Sequence, residues 1–255
     1  MSGILCGVGV GPGAPDLMTL RAVARLRAAD VIAIPQRSVH DESLAWRIAK
    51  GNVGEVQNQE RLTLLFPMTK DPTLLRPAWA TAMGQLTPRL AAGKRVAFVT
   101  EGDPLVYSTF IYLMAEARKC LPDLRIEVVP AVSSITAVPA ALGIPLADGQ
   151  ERIAILPATY GIEVLSQTLR DFDSVLLMKV GSVMPDVVAA LEREQLLDKA
   201  FYVSKASTPE ERIVRDLGSL RNDRCDYFSM VMVKKQGRSG VLAGRATEEE
   251  PGARA

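Results

Sequence analysis

The sequence has few of the residues from which metal centres, disulfide frameworks and redox sites are built. Its 255 residues include one histidine and three cysteines, Cys6, Cys120 and Cys225, which are widely spaced and form no CxxC pair. Zinc and redox sites need closely spaced ligands, and an odd number of scattered cysteines does not make a disulfide framework. We therefore expect no metal site and three reduced thiols, as in a cytoplasmic protein.

The sequence also lacks an excess of charge and a long apolar run. Thirty Lys and Arg residues face 29 Asp and Glu residues, for a formal net charge of +1, so there is no basic field of the kind that attracts nucleic acid. No stretch approaches the roughly 20 apolar residues of a membrane-spanning helix, and the first residues lack a secretory signal pattern. We expect neither nucleic acid nor membrane as a partner, and an acidic ligand must then meet local Arg or Lys side chains.

The hydrophobic pattern predicts two α/β domains. In residues 1–146, short β-branched runs such as ILCGVGV, VIAIP and RVAFVT alternate with amphipathic helical patterns, which is typical of a mostly parallel sheet. After a short polar linker, residues 147–240 hold strands that are separated by fewer helices, and this predicts a mixed sheet. Residues 241–255 are rich in Gly, Glu and Arg and are predicted to be a disordered tail.

A glycine-rich loop, GVGVGPGAP, follows the first strand and contains a GxGxxG pattern, and Thr19 after it is predicted to cap the first helix. In a dinucleotide-binding fold such a loop wraps a pyrophosphate, with an acidic partner for the ribose about 20 residues further on. Here Pro12 removes an amide hydrogen from the loop, and the nearest acidic match, Asp30, precedes its strand instead of following it. A dinucleotide-dependent oxidoreductase stays an alternative, but a loop that brings backbone close to another ligand fits better.

The segment EGDPLVYST gives the most specific local indication of a binding site. Gly102, Asp103 and Pro104 form a sharp turn directly after a strand, and the carboxyl ends of strands are where open α/β sheets bind ligands. The Asp103 carboxylate can accept hydrogen bonds from a ribose or an amino group. Ser108 and Thr109 offer a ligand hydroxyls and amides at the next helix start, and either residue can cap that helix. A plain β-turn is the alternative interpretation.

The polar segment from Gln36 to Thr63 is only weakly periodic except for LAWRIAK, and it is predicted to be the rim of the site. Basic residues in this rim and just after it are predicted partners for ligand carboxylates: Arg37, Arg47, Arg61, Lys70 and Arg76. The single histidine, His40, also lies there, and we expect it to have a surface or packing role.

Four segments, taken in order, resemble the tetrapyrrole (corrin and porphyrin) methylase family over about residues 3 to 235. They are GVGPGAPDLMT, TEGDPLVYSTFIYL, VVPAVSSITAVPAALGIPLADG and LLMKVGS. Within the family, YSTFIYL and the LFPM block around Phe66 are similar to the branch that methylates precorrin-2 at C-20. The sequence departs from the family patterns GPGDP and PGISS at Ala14 and Ala131, so no role for an Asp in the first loop is carried over.

The resemblance implies an S-adenosylmethionine-dependent C-methyltransferase of cobalamin biosynthesis that converts precorrin-2 to precorrin-3A. It also implies a homodimer and two α/β domains with an active-site trough between them. The cofactor contacts that it implies are Glu101, Gly102, Asp103, Ser133, Ser134, Met178, Lys205, Ala206 and Ser229. Those for the substrate are Gly11, Pro12 and Pro15, to which the charge argument adds Arg37 and Arg47.

No catalytic residue is assigned, because methyl transfer from a sulfonium is a direct displacement that alignment of the reactants can accelerate. The alternatives are another corrinoid-ring methylase such as a cobalt-factor II C20-methyltransferase, diphthine synthase, or a protein that binds the cofactor without turnover.

Overall fold

The computed structural model describes residues 3–67, 69, 71–223 and 225–235. The chain divides into two compact units, Met1–Ser134 and a second that begins at Ile135. The predicted domains meet at residues 146 and 147, so the unit boundary lies earlier and gives the segment after Ser134 to the second unit. The predicted disordered tail, residues 241–255, lies outside the described residues.

The first unit is built on a five-stranded sheet in which every neighbouring pair of strands is parallel. The strand order is β3-β2-β4-β1-β5. The strands are β1 (Ile4–Gly9), β2 (Val31–Gln36), β3 (Glu60–Leu65), β4 (Arg95–Thr100) and β5 (Arg125–Val129). This arrangement confirms the parallel sheet that the alternating pattern predicts.

Four helices cover the two faces of this sheet: α1 (Leu20–Ala28), α2 (Leu44–Val53), α3 (Pro72–Ala91) and α4 (Thr109–Cys120). Apolar side chains of α1 and α2, among them Leu26 and Ile48, pack on one face, and those of α3 and α4 pack on the other. The predicted cap at Thr19 is confirmed, because its side chain accepts a hydrogen bond from the Ala22 amide at 3.1 Å. Ser108 caps α4 in the same way.

The rim prediction missed strand β3. This strand is at the edge of the sheet, and its burial alternates: Leu64 is buried and Leu62 partly buried against the core, whereas Arg61 and Thr63 are exposed. An edge strand with one polar face gives a weak hydrophobic signal. The polar segment therefore contains helix α2 and strand β3 in place of a continuous irregular rim.

The second unit has a mixed five-stranded sheet of order β6-β7-β10-β8-β9, as predicted. Only β6 and β7 pair in parallel, and the other neighbours are antiparallel. The strands are β6 (Ile153–Pro157), β7 (Ser174–Met178), β8 (Ala200–Ser204), β9 (Arg212–Val214) and β10 (Ser229–Lys234). One face packs against helices α6 (Ile162–Asp171) and α7 (Met184–Arg193), and the other packs against α5 (Ser134–Leu142).

Candidate functional site

Three loops meet at the carboxyl edge of the first sheet. Because the strands are parallel and follow the order β4-β1-β5, the loops that leave these strands are neighbours at one edge. The edge is the ligand-binding side of open α/β sheets. The predicted site residues of the first unit that these loops bring together are Gly11, Pro12, Pro15, Glu101, Gly102, Asp103, Ser133 and Ser134.

Backbone hydrogen bonds join the loop after β1 to the loop after β4. The Gly102 amide donates to the Gly11 carbonyl at 2.8 Å, and the Val10 amide donates to the Thr100 carbonyl at 3.0 Å. Gly11 has φ +89° and Gly102 has φ +59°, a conformation that favours glycine. Among the described residues, nothing lies within 4 Å of where a Gly102 Cβ would stand. The Gly102 backbone is therefore open to approach by a ligand.

The Asp103 side chain joins the loop after β4 to the loop after β5. Its Oδ2 accepts a hydrogen bond from the Ala131 amide at 3.0 Å, and its Oδ1 accepts one from the Leu105 amide at 2.9 Å. Each carboxylate oxygen has a further lone pair that a ligand donor could use. The sequence predicted that Asp103 contacts a ligand but did not predict that its side chain joins the two loops. The ligand contact stays a prediction.

Close packing of Gly9 holds the same three loops together. A Cβ on Gly9 would stand 2.5 Å from the Gly102 carbonyl oxygen, 2.6 Å from the Ala131 Cβ and 2.9 Å from Pro104 Cδ. Ala131, one of the two departures from the family pattern, therefore fits only because residue 9 has no side chain. The repeated glycines of GVGVGPG were the sequence signal for this close packing. The sequence analysis interpreted them as a place where a ligand approaches the backbone, and not as a contact between loops.

Ser108, a predicted source of ligand hydroxyls, is occupied by structural contacts. Its buried Oγ lies 2.9 Å from the Thr100 Oγ1 and accepts a hydrogen bond from the Phe110 amide at 3.1 Å. Ser108 thus fastens the start of α4 to the end of β4 and supports the turn that contains Asp103.

The predicted carboxylate partners are exposed, but they lie on different elements. Arg37 follows β2 directly at the carboxyl edge, and Arg47 lies near the start of α2, the helix that comes next in the chain. Asn52 of α2 donates from Nδ2 to the Pro15 carbonyl at 2.5 Å, which ties this helix to the glycine loop. The other two arginines predicted to bind carboxylates are on other elements. Arg61, on β3, stacks on the Trp46 ring at 4.8 Å, and Arg76 is on α3. Lys70 lies outside the described residues.

Asp30 does not support a dinucleotide site. It precedes β2 at the amino ends of the strands, opposite the glycine loop, and its carboxylate binds both the backbone amide of Arg95 (2.7 Å) and the Arg95 guanidinium (3.1 Å). The hydrogen bonds from Arg95 lower the pKa of Asp30. Asp30, the acidic residue that the dinucleotide pattern offers as a ribose partner, is therefore bound to Arg95 at the end of the sheet opposite the glycine loop.

In the second unit, the predicted cofactor residues also gather at one sheet edge. Met178 ends β7 and pairs with Met230, and Ser229 begins β10 opposite Ser204, the last residue of β8. Lys205 and Ala206 follow β8 directly. The four residues predicted from the motifs, Met178, Lys205, Ala206 and Ser229, are thus neighbours within this unit.

Lys205 braces the loops of this second edge. Its Nζ lies 3.1 Å from a Glu210 carboxylate oxygen and 3.4 Å from one of Asp226, and its amide donates to the Phe228 carbonyl at 2.8 Å. The hydrogen bond to Glu210, followed by the charge of Asp226, raises the pKa of Lys205. Its backbone is left-handed, with φ +49°. The sequence predicted Lys205 as a cofactor contact but gave no sign of these ion pairs, which depend on how β8 and β10 pair.

The three cysteines form no disulfide bond. Burial raises the pKa of Cys6 to about 11, and burial also raises the pKa of Cys225. Within the described ranges, no group of three His, Cys, Asp or Glu side chains could hold a metal ion. No helix in the described part of the chain is both long and apolar enough to cross a membrane.

Comparison with known proteins gives consistent matches over most of the chain. Residues 5–220 match the family model described as Tetrapyrrole (Corrin/Porphyrin) Methylases. The chain is 35% identical to the cobalt-precorrin-2 C(20)-methyltransferase of Salmonella typhimurium, over 92% of this chain and 98% of that protein. It is 31% identical to the precorrin-2 C(20)-methyltransferase of Sinorhizobium sp, over 91% and 97% of the two chains.

Solved structures share the fold. A cobalt precorrin-4 methyltransferase superposes with a TM-score of 0.69 at 22% identity, covering 91% of this chain and 94% of that one. The uroporphyrin-III C-methyl transferase from Thermus thermophilus, complexed with S-adenyl homocysteine, has a TM-score of 0.65 at 19% identity, with coverage of 91% and 98%.

Proposed function

Because the chain belongs to the tetrapyrrole (corrin/porphyrin) methylase family, whose model spans residues 5–220, we propose that it methylates precorrin-2 at C-20 with S-adenosylmethionine as the donor. The reaction is a step of cobalamin biosynthesis. The observation that carries the proposal is the similarity, over nearly the whole length of both chains, to two proteins named for this C-20 methylation.

The carboxyl edge of the first sheet suits the donor. The Gly102 backbone is open on the side where a Cβ would stand, Asp103 keeps lone pairs for ribose hydroxyls or an ammonium group, and Ser134 begins helix α5. We assign cofactor contacts to Glu101, Gly102, Asp103, Ser133 and Ser134, and in the second unit to Met178, Lys205, Ala206 and Ser229.

S-adenosylmethionine supplies an electrophilic methyl group on a sulfonium. The chain's own contribution is alignment and exclusion of water, for which effective-molarity gains of about 7–11 kcal/mol are available. Rigid loops are needed for such alignment, and the contacts of Asp103 with Ala131 and of Gly9 with Gly102 provide them. The buried Cys6 thiol, with its pKa of about 11, stays protonated near neutral pH and does not act as a nucleophile.

The substrate contacts follow from its chemistry. Precorrin-2 carries acetate and propionate groups around its ring, and the near-neutral chain must bind them with local cations. Arg37 and Arg47 are exposed, Arg37 directly after β2 and Arg47 on α2, and the bond from Asn52 to Pro15 joins α2 to the loop that holds Gly11, Pro12 and Pro15. We assign the two arginines to the carboxylates and the loop to the ring edge.

A second candidate substrate is the cobalt-containing form of the same ring. The Salmonella typhimurium relative is named for cobalt-precorrin-2, whereas the Sinorhizobium relative is named for precorrin-2. A metal already held by the substrate needs no protein ligand, so the two substrates place the same demands on the described residues. Parallel assays with the metal-free and the cobalt-loaded tetrapyrrole distinguish them.

We also propose a homodimer in the cytoplasm. Three unpaired cysteines suit a reducing compartment, and the homodimer rests on the family resemblance. Size-exclusion chromatography with light scattering tests the dimer: a mass of twice 27.6 kDa supports it, and a mass of 27.6 kDa contradicts it.

The cofactor assignment is tested by calorimetric titration with S-adenosylhomocysteine and, in parallel, with NAD. Saturable binding of S-adenosylhomocysteine with no binding of NAD supports the methyltransferase. The reverse result would favour a dinucleotide-dependent enzyme. Transfer of labelled methyl groups to the tetrapyrrole then separates an enzyme from a protein that only binds the cofactor.

A further inference from the structure

Two aromatic side chains lie exposed next to a predicted cofactor residue of the second unit. Tyr227 is 48% exposed and Phe228 is 40% exposed, and they directly precede Ser229, the first residue of β10. Their rings pack edge to face, with centroids 5.1 Å apart and planes at 87°. Aromatic residues make up only 5% of the chain, so two neighbouring aromatic residues that are both exposed are unusual in it. Contiguous exposed apolar surface is typical of a binding site.

The backbone beneath this aromatic pair is fixed. The Phe228 amide donates to Asp226 Oδ1 at 2.9 Å, and the Phe228 carbonyl accepts the bond from the Lys205 amide. The Lys205 ammonium lies 3.4 Å from the Asp226 carboxylate. The Asp226 amide donates to the Tyr202 hydroxyl at 3.3 Å. The pair is therefore presented on a rigid support, which lowers the entropy lost when a ligand binds.

We propose that Tyr227 and Phe228 form an apolar platform for a face of the tetrapyrrole ring, an inference that rests on the proposed function. The substrate combines carboxylates at its edge with broad apolar faces. Arginines can bind the carboxylates, but the ring faces need apolar or aromatic partners, for which offset and edge-to-face contacts with aromatic rings are favourable. The platform adjoins Ser229 and, across the strand pairing, Ser204 and Lys205. It therefore stands at the edge to which the cofactor contacts of this unit are assigned.

The test compares Tyr227→Ala and Phe228→Ala with the parent chain. We expect each substitution to raise the apparent KM for precorrin-2 by about five- to tenfold, with kcat changed less than twofold, because ring contacts contribute mainly to substrate binding. The Kd for S-adenosylhomocysteine, measured by calorimetry, should stay within a factor of about two. Tyr227→Phe should restore the parent KM, because it keeps the ring.

Ile153→Ala is the control for loss of exposed apolar surface in the same unit. Ile153 is 37% exposed and begins β6, at the opposite end of the sheet from Ser229. Its substitution removes an exposed apolar side chain away from the platform, and the KM for precorrin-2 should not change.

Unchanged KM values in both alanine variants overturn the platform. So does a loss of S-adenosylhomocysteine affinity that parallels the rise in KM, because the pair would then belong to the cofactor site. If an alanine variant does not fold, Tyr227→Gln and Phe228→Gln take its place, because glutamine keeps much of the side-chain volume but removes the apolar ring face, and unaltered KM values in these two overturn the proposal equally.

Failure of the proposed function is separable from failure of the platform. Quenching of protein fluorescence by precorrin-2 gives a Kd without turnover. A parent chain that binds precorrin-2 but transfers no methyl group refutes the proposed function, and the Kd values of the variants still decide the platform.

Discussion

The Asp103 carboxylate accepts a hydrogen bond from the Ala131 amide at 3.0 Å and so joins the loops that follow β4 and β5. Its other oxygen accepts from Leu105 within its own turn. Asp103 therefore has a structural role in addition to the cofactor contact proposed for it. The two roles have different experimental consequences.

We predict that Asp103→Ala lowers both the affinity for S-adenosylhomocysteine and the free energy of unfolding. Hydrogen bonds to a charged acceptor contribute about 1.5–3 kcal/mol each, and the substitution removes two of them. Calorimetry measures the affinity, and urea denaturation measures stability. Asp103→Asn, which keeps one acceptor oxygen, should lose less stability. Full stability together with normal affinity in the alanine variant would remove Asp103 from both roles.

Gly9→Ala should disturb the same three loops by a steric route. Its Cβ would stand 2.5 Å from the Gly102 carbonyl oxygen and 2.6 Å from the Ala131 Cβ, so we expect a loss of about 1–3 kcal/mol of stability and weaker S-adenosylhomocysteine binding. Thermal unfolding and calorimetry measure the two effects.

Gly84→Ala is the control for Gly9→Ala. Gly84 lies inside α3, and among the described residues nothing outside its own helix and chain neighbours stands within 4 Å of its Cβ position. Alanine there should stabilise the helix by about 0.5–1 kcal/mol. A Gly9→Ala protein with the stability and affinity of the parent would contradict the close packing of the loops.

We predict that Arg37→Glu and Arg47→Glu each raise the apparent KM for the tetrapyrrole and leave S-adenosylhomocysteine affinity unchanged. Loss of an arginine–carboxylate contact costs about 1.5–3 kcal/mol when the contact is shielded from solvent. Arg118→Glu, an exposed substitution on α4, is the control for a change of net charge. Parent-like KM values in both rim variants, with no effect of added salt on the KM of the parent chain, would show that the rim does not bind the carboxylates.

Asp30 should contribute stability that depends on pH. Its hydrogen bonds with Arg95 lower its folded-state pKa below the usual 3.8, so the contribution is present above that value and is lost as the pH falls through the lower folded-state pKa. The side chain is 39% exposed, which limits the contribution to about 1 kcal/mol.

Asp30→Asn should therefore destabilise the protein at pH 7 and destabilise it less at pH 2.5. Denaturation at the two pH values measures this, with Asp123→Asn in an exposed loop as the control. An equal loss at both pH values would show that the charge of Asp30 contributes nothing.

The sequence predicted those parts of the fold that local patterns determine. Strands β1 and β4 and the caps at Thr19 and Ser108 follow from β-branched runs and from hydroxyl residues at helix starts. Strand β3 was missed because an edge strand keeps one polar face. The predicted domains meet at residues 146 and 147, whereas the compact units meet at Ser134, because α5 packs on the second sheet and composition does not reveal that packing.

The motifs predicted which residues gather at each sheet edge, but not what they touch. The bond between Asp103 and Ala131 joins residues 28 positions apart, and the ion pair between Lys205 and Asp226 depends on the pairing of β8 with β10. Such contacts are set by strand order, which a single sequence does not specify. The exposure of Tyr227 and Phe228 could not be predicted from the sequence either, because an aromatic side chain next to a strand is more often part of the core.

Nuclear magnetic resonance shows directly which ring carbon receives the methyl group. The protein is incubated with metal-free precorrin-2 and S-adenosylmethionine labelled with ¹³C in the methyl group, and in parallel with the cobalt-loaded ring. We expect one labelled methyl group per ring, attached at C-20. A label at any other carbon, or no transfer to either ring, would contradict methylation at C-20.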